Sequence, residues 1–469
     1  MPVRPAESQK DWQVGHRFLL CRLISGPIFD KKSASPPHLP CKESGACAEK
    51  PRSPGRNALF ATIDVFSRYI WGETNLPNIM ESLSKRVTSV TPSLTLSVTN
   101  QTKAMRAAGE EIYGLAGGEP DCDTPDFIKQ AAYTALSEGK TKYTPAAGIP
   151  ELREAISAKL KNDNGLEYEP KEICVTSGAK QACFNAILAI VEEGDEVIIP
   201  SPYWVSYPEM VKLAGGVPVL VETKESNKWK ITADEFEEAM SPKTKMIILN
   251  TPGNPTGSVY SRAEIEGIVE VASYEDIIIL ADEIYEHLVY GDEKHVSVAS
   301  VNEDAYNLTI TVNGFSKSHS MTGWRIGYTA APAAIARALS TIQGHTSSNA
   351  TTFAQYGALA ALTDEASRPF IDSLRGEYDV RRQFMLARLK AIPNVSVVEP
   401  KGAFYFFVNC SNLGLKSVNL CDKLLNRYKV AAVPGVAFGH DMGVRISYCT
   451  TLDILNEGIT RFEEFCRSH

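Results

Sequence analysis

The chain has 469 residues, 43% of them hydrophobic and 22% charged, with a net charge of −8. This is the composition of a globular protein with a large core. The mild acidity speaks against nucleic acid or an anionic membrane as the main partner, and no apolar run is long enough to span a bilayer. The ten cysteines are scattered without metal-ligand spacing and read as reduced thiols in a reducing compartment.

Residues 1–79 differ in texture from the rest. Ser33 to Arg56 is rich in Pro, Ser, Lys and Cys with no apolar period, and reads as loop or disorder. Three readings stand open for this extension. It is a misassigned stretch ahead of a working start at Met80, a targeting segment, or an unfamiliar domain. Its Arg and Ser content fits a plastid or mitochondrial transit peptide, its acidic residues do not, and no signal peptide is visible. From Met80 the spacing predicts a helix over Val87–Ala108 with Pro92 in the first turn, then a short strand over Ile112–Ala116 running into Gly117-Gly118. Helices are predicted over Phe127–Ser137 and Ile149–Asn162, with Tyr143 alone on the loop between them.

A strand over Glu172–Val175, a turn Thr176-Ser177-Gly178-Ala179-Lys180 and a helix over Gln181–Val191 follow. That order aims backbone amides and a helix N-terminus at an anion, or simply starts a helix. Further strands are predicted at Glu196–Ile199, Val217–Val221, Met246–Asn250, Ile277–Leu280 and the β-branched run ending at Val312, with Val217–Val221 and Met246–Asn250 buried on both faces. Alternation of strands and helices through 170–330 predicts an α/β protein with a mostly parallel sheet. Ligands of such sheets sit beyond the carboxyl ends of the strands, and Asn254, Asp282 and Lys317 each lie just past one. Helices are predicted over Ala334–Ser340, Thr352–Leu362 and Phe370–Leu389; strands at Val395–Glu399, Ala403–Asn409, Val430–Val433 and Val444–Ser447, with helices over Leu420–Tyr428 and from Leu452, then suggest a smaller second α/β domain.

Lys317 stands among small and hydroxyl residues, with Arg325 eight positions on in Gly-Trp-Arg-Ile-Gly. A lysine partly desolvated beside an arginine has its pKa lowered, which frees the amine to attack a carbonyl carbon. A planar guanidinium suits a phosphate. Together they meet what pyridoxal phosphate (PLP) needs, whereas each alone reads as a surface lysine and a salt-bridged arginine. Asp282 follows four aliphatic residues; it is a helix cap, a salt-bridge partner, or the carboxylate that keeps a pyridine nitrogen protonated. Tyr285 and Asn254 can bond the ring's phenolic oxygen, Asn254 otherwise being a turn residue. Trp204 stacks on a ring or packs in the core. Arg445, inside an apolar strand, needs either a ligand carboxylate or an internal Asp or Glu.

Seven motifs then occur in order: GGEPDCDTP, GKTKYTPAAGIPELR, PYWVSYPEM, NPTGSVY, DEIYEHL, NGFSKSHSMTGWRIGY and VRISY. From Met80 on, about five-sixths of the chain, the sequence resembles the class I, fold-type I PLP-dependent aminotransferases, most closely the bacterial-type (subgroup Ib) aspartate/prephenate enzymes. The resemblance implies a large PLP-binding domain over 123–365 with a mostly parallel seven-stranded type of sheet, a small domain over 366–469, and a segment 80–122 packing with the latter. It implies that Lys317 bonds the cofactor and moves the proton between substrate Cα and cofactor. Asp282 would pair with the pyridine nitrogen, and Tyr285 and Asn254 with the phenolic oxygen. Arg325, Tyr143 and the amides of Ser177, Gly178, Ala179 and Lys180 would hold the phosphate, and Trp204 would stack on the ring. Arg445 and the Gly118 amide would take the substrate α-carboxylate, while Lys180 and Thr95 accompany distal-carboxylate and prephenate recognition. The lysine that many members carry four residues before that threonine is Thr91 here, and Gly253 replaces a more usual polar residue.

The matching tyrosine comes from the other subunit in this family, so Tyr143 implies a homodimer with shared active sites. The expected reaction transfers the amino group of aspartate to 2-oxoglutarate, with prephenate as a further acceptor, through small amino-acid and 2-oxo-acid partners in the cytoplasm. No metal is expected. Rival expectations are an alanine or aromatic aminotransferase, a PLP lyase on the same fold, and a PLP-sensing regulator. The last would need a DNA-binding module that residues 1–79 do not resemble.

Overall fold

The computed structural model describes residues 83–469. The loop-like reading of Ser33–Arg56, the three readings of residues 1–79 and the start at Met80 all lie outside the described residues.

The predicted helix over Val87–Ala108 is in fact two, α1 (Lys85–Thr88) and α2 (Leu94–Ala107). The residue before a proline is pushed out of helical space, and Pro92 has no N–H to give, so the chain breaks at Thr91-Pro92. Ser93 restarts it as the N-cap of α2, its side chain accepting from the Leu96 amide at 3.4 Å. Val98 and Met105 of α2 pack against Ile112, Phe407 and Val433, tying this segment to the C-terminal part. The strand β1 (Tyr113–Gly114) pairs in parallel with Val430–Ala431.

Next come α3 (Asp126–Ser137), α4 (Pro150–Asn164), β2 (Ile173–Thr176), α5 (Ala179–Ile190), β3 (Glu196–Ser201), α6 (Tyr207–Ala214) and β4 (Val217–Glu222). They are followed by α7 (Ala233–Ala239), β5 (Thr244–Asn250), α8 (Arg262–Tyr274), β6 (Ile278–Asp282), α9 (Glu303–Leu308), β7 (Thr309–Gly314), β8 (Gly327–Ala330), α10 (Ala333–Thr346) and α11 (Thr352–Thr363). Seven strands form one sheet in the order β2-β8-β7-β6-β5-β3-β4, parallel except for β8, which runs against both its neighbours. The aliphatic runs are explained by burial on two sides. Met246 and Ile248 of β5 enter one core cluster, while Ile247 and Leu249 enter the opposite one. Each such buried side chain contributes roughly 1.5–3 kcal/mol. The strand β4 departs from the expectation: Val217 and Leu220 are 46% and 49% exposed. It ends the sheet, so it has one neighbour and incomplete cover.

Gly314 and Gly327 pair across β7 and β8. A Cβ on Gly327 would lie 2.4 Å from the Ala179 amide nitrogen, and one on Gly314 would meet the Gly327 backbone at 2.8 Å. Only glycine lets β8 pass this close to the start of α5.

The remainder comprises α12 (Ser367–Lys390), β9 (Ser396–Val397), β10 (Tyr405–Asn409), α13 (Ser417–Tyr428), β11 (Val430–Ala431), β12 (Val433–Pro434), β13 (Gly443–Ser447) and α14 (Leu452–Arg467). A four-stranded antiparallel sheet, β12-β13-β10-β9, carries a core that includes Tyr378, Met385, Phe404, Phe406 and Phe462. Val430–Val433, expected as a single strand, is two. The first half pairs with β1 and the second with β13, so the chain changes sheets at Ala432. Among the described residues all seven cysteines are free, and six are buried. No described helix is long and apolar enough to cross a membrane.

Candidate active site

The carboxyl ends of β5, β6 and β7 open into one cavity of about 460 Å3. Lys317, Asp282 and Asn254 all line it, as the topology predicts, together with Tyr285, Trp204, Ala179, Lys180, Arg325, Arg445, Gly118 and Thr95. Tyr143 does not: its side chain stands 88% exposed on the α3–α4 loop. Gly178 lies behind the wall, against Arg325.

Lys317 follows β7, and its Nζ donates to the Gly118 carbonyl at 2.5 Å. Burial brings its ammonium down to about 8, with Arg445 and Arg325 adding to the effect and Cys449 and Glu119 opposing it. Desolvation therefore leads, ahead of the neighbouring arginine that the sequence suggests. The neutral amine fraction should rise with pH through about 8. Reductive methylation of Lys317, read by mass spectrometry over a pH series, should be half-maximal there, well below the midpoint for surface lysines. His319, two residues on, is no rival base. Its ring nitrogens meet the Ser318 and Ser367 hydroxyls at 2.8 and 2.9 Å, and burial lowers it to about 3, so it is neutral.

Asp282 closes β6 and is 4% exposed. Among the described residues it is neither a helix cap nor half of an ion pair. The Tyr207 hydroxyl donates to its Oδ2 at 2.7 Å, the Cys183 thiol approaches the same oxygen at 3.7 Å, and the Ile284 amide reaches Oδ1 at 3.3 Å. Burial pushes the carboxyl pKa up, and these donors pull against it. Tyr285, also buried, shares a hydrogen bond of 3.1 Å with the Tyr405 hydroxyl.

Arg445 of β13 is 4% exposed, and among the described residues no carboxylate pairs with it. Its Nη1 donates to Asn254 Oδ1 at 3.1 Å and its Nη2 to the Ala116 carbonyl at 3.0 Å, while its Nε has no partner. The guanidinium lies 4.4 Å from the Tyr405 ring and 5.1 Å from Phe438. The internal acid that the sequence left open is thus absent from its surroundings. A buried cation with neutral partners and a spare donor, facing a cavity, is built to receive an anion.

At the other end, Arg325 has a positive φ of 57° and an exposed side chain, anchored at 2.9 Å to the Thr322 carbonyl. Gly178, at φ 84°, caps α5; a Cβ there would sit 2.5 Å from the guanidinium. Two amides named for anion binding are already used internally. Ser177 N donates to Gln181 Oε1 at 2.6 Å and Gly178 N to the Thr176 carbonyl at 2.8 Å. Ala179 and Lys180 open the helix, which has no side-chain cap. Lys180 Nζ lies 4.9 Å over the Trp204 ring, its pKa lowered by burial and then by Arg325. These positions fit a phosphate at one end, a ring over Asp282 and a carboxylate at Arg445. Thr95 meets Ser93 Oγ at 2.8 Å, and α2 also brings Leu96, Thr99 and Lys103 to the cavity. The sequence reading missed Tyr207, Cys183, Tyr405 and Lys103. Only Tyr207 carried a signal, its place in PYWVSYPEM.

Residues 110–462 match the family described as aminotransferase class I and II. The Bacillus subtilis aspartate aminotransferase is 47% identical over 392 residues, 82% of this chain and 99% of that protein. The aspartate/prephenate aminotransferase of Cereibacter sphaeroides is 42% identical, over 82% of this chain and 99% of its own length. Among solved structures, the Thermus thermophilus aspartate aminotransferase with maleate superposes with a TM-score of 0.79 at 43% identity, covering 82% of this chain and 99% of that one. The seven-stranded sheet is that of fold type I, and the chain belongs to the class I and II aminotransferases, a family of PLP-dependent enzymes.

Proposed function

We propose that the protein moves the amino group of aspartate to 2-oxoglutarate, giving oxaloacetate and glutamate, and that it also aminates prephenate to arogenate. The observation that carries this is the unpaired Arg445 in a cavity with five basic side chains (Lys103, Lys180, Lys317, Arg325, Arg445) against two acidic ones, Glu119 and Asp282. Such an excess suits a phosphate and a dicarboxylate together. The names of the Bacillus and Cereibacter relatives and the maleate, a dicarboxylate, with the Thermus enzyme support it.

Bound PLP would supply an electron-withdrawing ring and carry the amino group between two half-reactions. In this reading Asp282 holds the pyridine nitrogen, Tyr285 and Asn254 orient the phenolic oxygen, and Trp204 covers the ring. Arg325 with the amides of Ala179 and Lys180 takes the phosphate, assisted by Tyr143 of a second subunit. Arg445 and the Gly118 amide orient the α-carboxylate, Lys180 and Thr95 the distal group. Lys317, neutral at moderately alkaline pH, would move the proton between the substrate Cα and the cofactor. We assign 123–365 as the large domain and 366–469 as the small one, with 80–122 as a segment packing with the latter. A cytoplasmic homodimer is supported by the exposed Tyr143 ring and the free thiols.

The test is a single-turnover spectrum of the PLP-loaded protein. Aspartate and glutamate should bleach the cofactor's visible band completely, and alanine and phenylalanine hardly at all. A band that responds equally to alanine would remove the dicarboxylate assignment, and one that no amino acid alters would remove the transaminase reading.

A further inference from the structure

We propose that Tyr207 and Cys183 are positioning residues that keep the shared proton on the cofactor's pyridine nitrogen rather than on Asp282; this rests on the assignment of Asp282 to that nitrogen made above. Both residues hold the same carboxylate oxygen. Tyr207 Oη donates to Oδ2 at 2.7 Å from the first turn of α6, and Cys183 Sγ approaches Oδ2 at 3.7 Å from α5. Among the described residues Oδ1 has only the Ile284 amide at 3.3 Å, which leaves it capacity for one further donor.

The physical problem is a competition. In an apolar site, an ion pair between a pyridinium and a carboxylate competes with the neutral pair in which the proton sits on oxygen. Asp282 is buried, which by itself favours the neutral pair. Hydrogen bonds donated to the carboxylate restore the ionised form. Tyr207 and Cys183 can only donate, because burial and the carboxylate itself push the phenol and the thiol well above their ordinary pKa values. Other ionisable groups nearby do not take this role. Glu283 is bonded to His295, Ser297 and the Val298 amide, Tyr285 to Tyr405, and Lys180 lies over Trp204. Tyr207 is the stronger donor, since a thiol hydrogen bond is weak. The Trp204 ring packs on it edge to face at 5.1 Å, so the residue assigned to cover the cofactor also steadies the phenol.

The experiment uses the full chain loaded with PLP carrying 15N in its ring. The nitrogen shift is read against free PLP at low and high pH as the protonated and unprotonated limits. The wild type should lie at the protonated limit at neutral pH. Tyr207→Phe should move the signal toward the unprotonated limit and raise the PLP dissociation constant about tenfold. Cys183→Ala should give a smaller move in the same direction, and Cys183→Ser should restore the wild-type position. A merely structural role would leave the 15N shift where it was. Wild-type shifts in both Tyr207→Phe and the double variant with Cys183→Ala would overturn the proposal. An unprotonated nitrogen in the wild type would also overturn the proposal, whereas a wild-type 15N shift in Asp282→Asn would defeat the assignment of Asp282 itself. If Tyr207→Phe does not fold, the Cys183 pair decides alone, and a wild-type shift in Cys183→Ala overturns the proposal.

Discussion

Lys317→Ala should lower turnover of aspartate and 2-oxoglutarate by on the order of 10⁶-fold, as removal of a residue that both bonds the cofactor and carries the proton does. Its titratable neighbours are committed elsewhere, Lys180 lying over the Trp204 ring. His319 is neutral and spent on two hydroxyls, and Asp282 is occupied by Tyr207 and Cys183. PLP should still bind, because Arg325 and the start of α5 are untouched, although it would no longer be covalently held. Two measurements separate the effects: steady-state rate, and PLP retention by equilibrium dialysis. A small primary amine added to the variant should recover part of the rate, with a pH dependence set by the amine instead of by Lys317. A variant that turns over at the wild-type rate would end the assignment.

Arg445→Leu should cost about 10²- to 10⁴-fold in kcat/KM for aspartate, the equivalent of the roughly 3–5 kcal/mol attached to one side of a buried charge pair. The ligand-free protein should lose less than that. Breaking a native buried ion pair destabilises because a charge is left behind, but Arg445 has no native counterion to strand. Its departure frees only Asn254 Oδ1 and the Ala116 carbonyl, both at the cavity edge, so the loss in unfolding free energy should stay within ~2 kcal/mol. Chemical denaturation of the apo protein and steady-state kinetics together give the answer. A stability loss of the ion-pair size, with kinetics intact, would mean that Arg445 serves the fold alone.

The parts of this site legible in sequence are those whose context is local. Lys317, Asp282 and Asn254 each follow a run of aliphatic or β-branched residues, and a parallel sheet delivers the ends of such runs to one place. Tyr207 and Cys183 could not be assigned to Asp282 that way, because 75 and 99 residues separate them from it and the contact exists only once α5 and α6 have packed on the sheet. Tyr405 is likewise 120 residues from Tyr285. For Arg445 the sequence supplied the burial but not the partners, since one of them is a main-chain carbonyl, which no residue type announces. The errors in the fold have equally concrete causes. An apolar run cannot say whether its strand ends a sheet, as β4 does, or changes sheets midway, as Val430–Val433 does.

Two of the cavity's cations, Lys317 and Arg445, are anchored to carbonyls of the same short stretch, those of Gly118 and Ala116. A carbonyl is common to every amino acid, so this half of the grip is written in the path of the chain and not in its side chains. Codon changes at position 116 that keep a small residue would pass unnoticed by the substrate. A one-residue insertion or deletion between β1 and α3 would misplace both anchors together. Natural variation in this loop should therefore run to substitutions and spare its length.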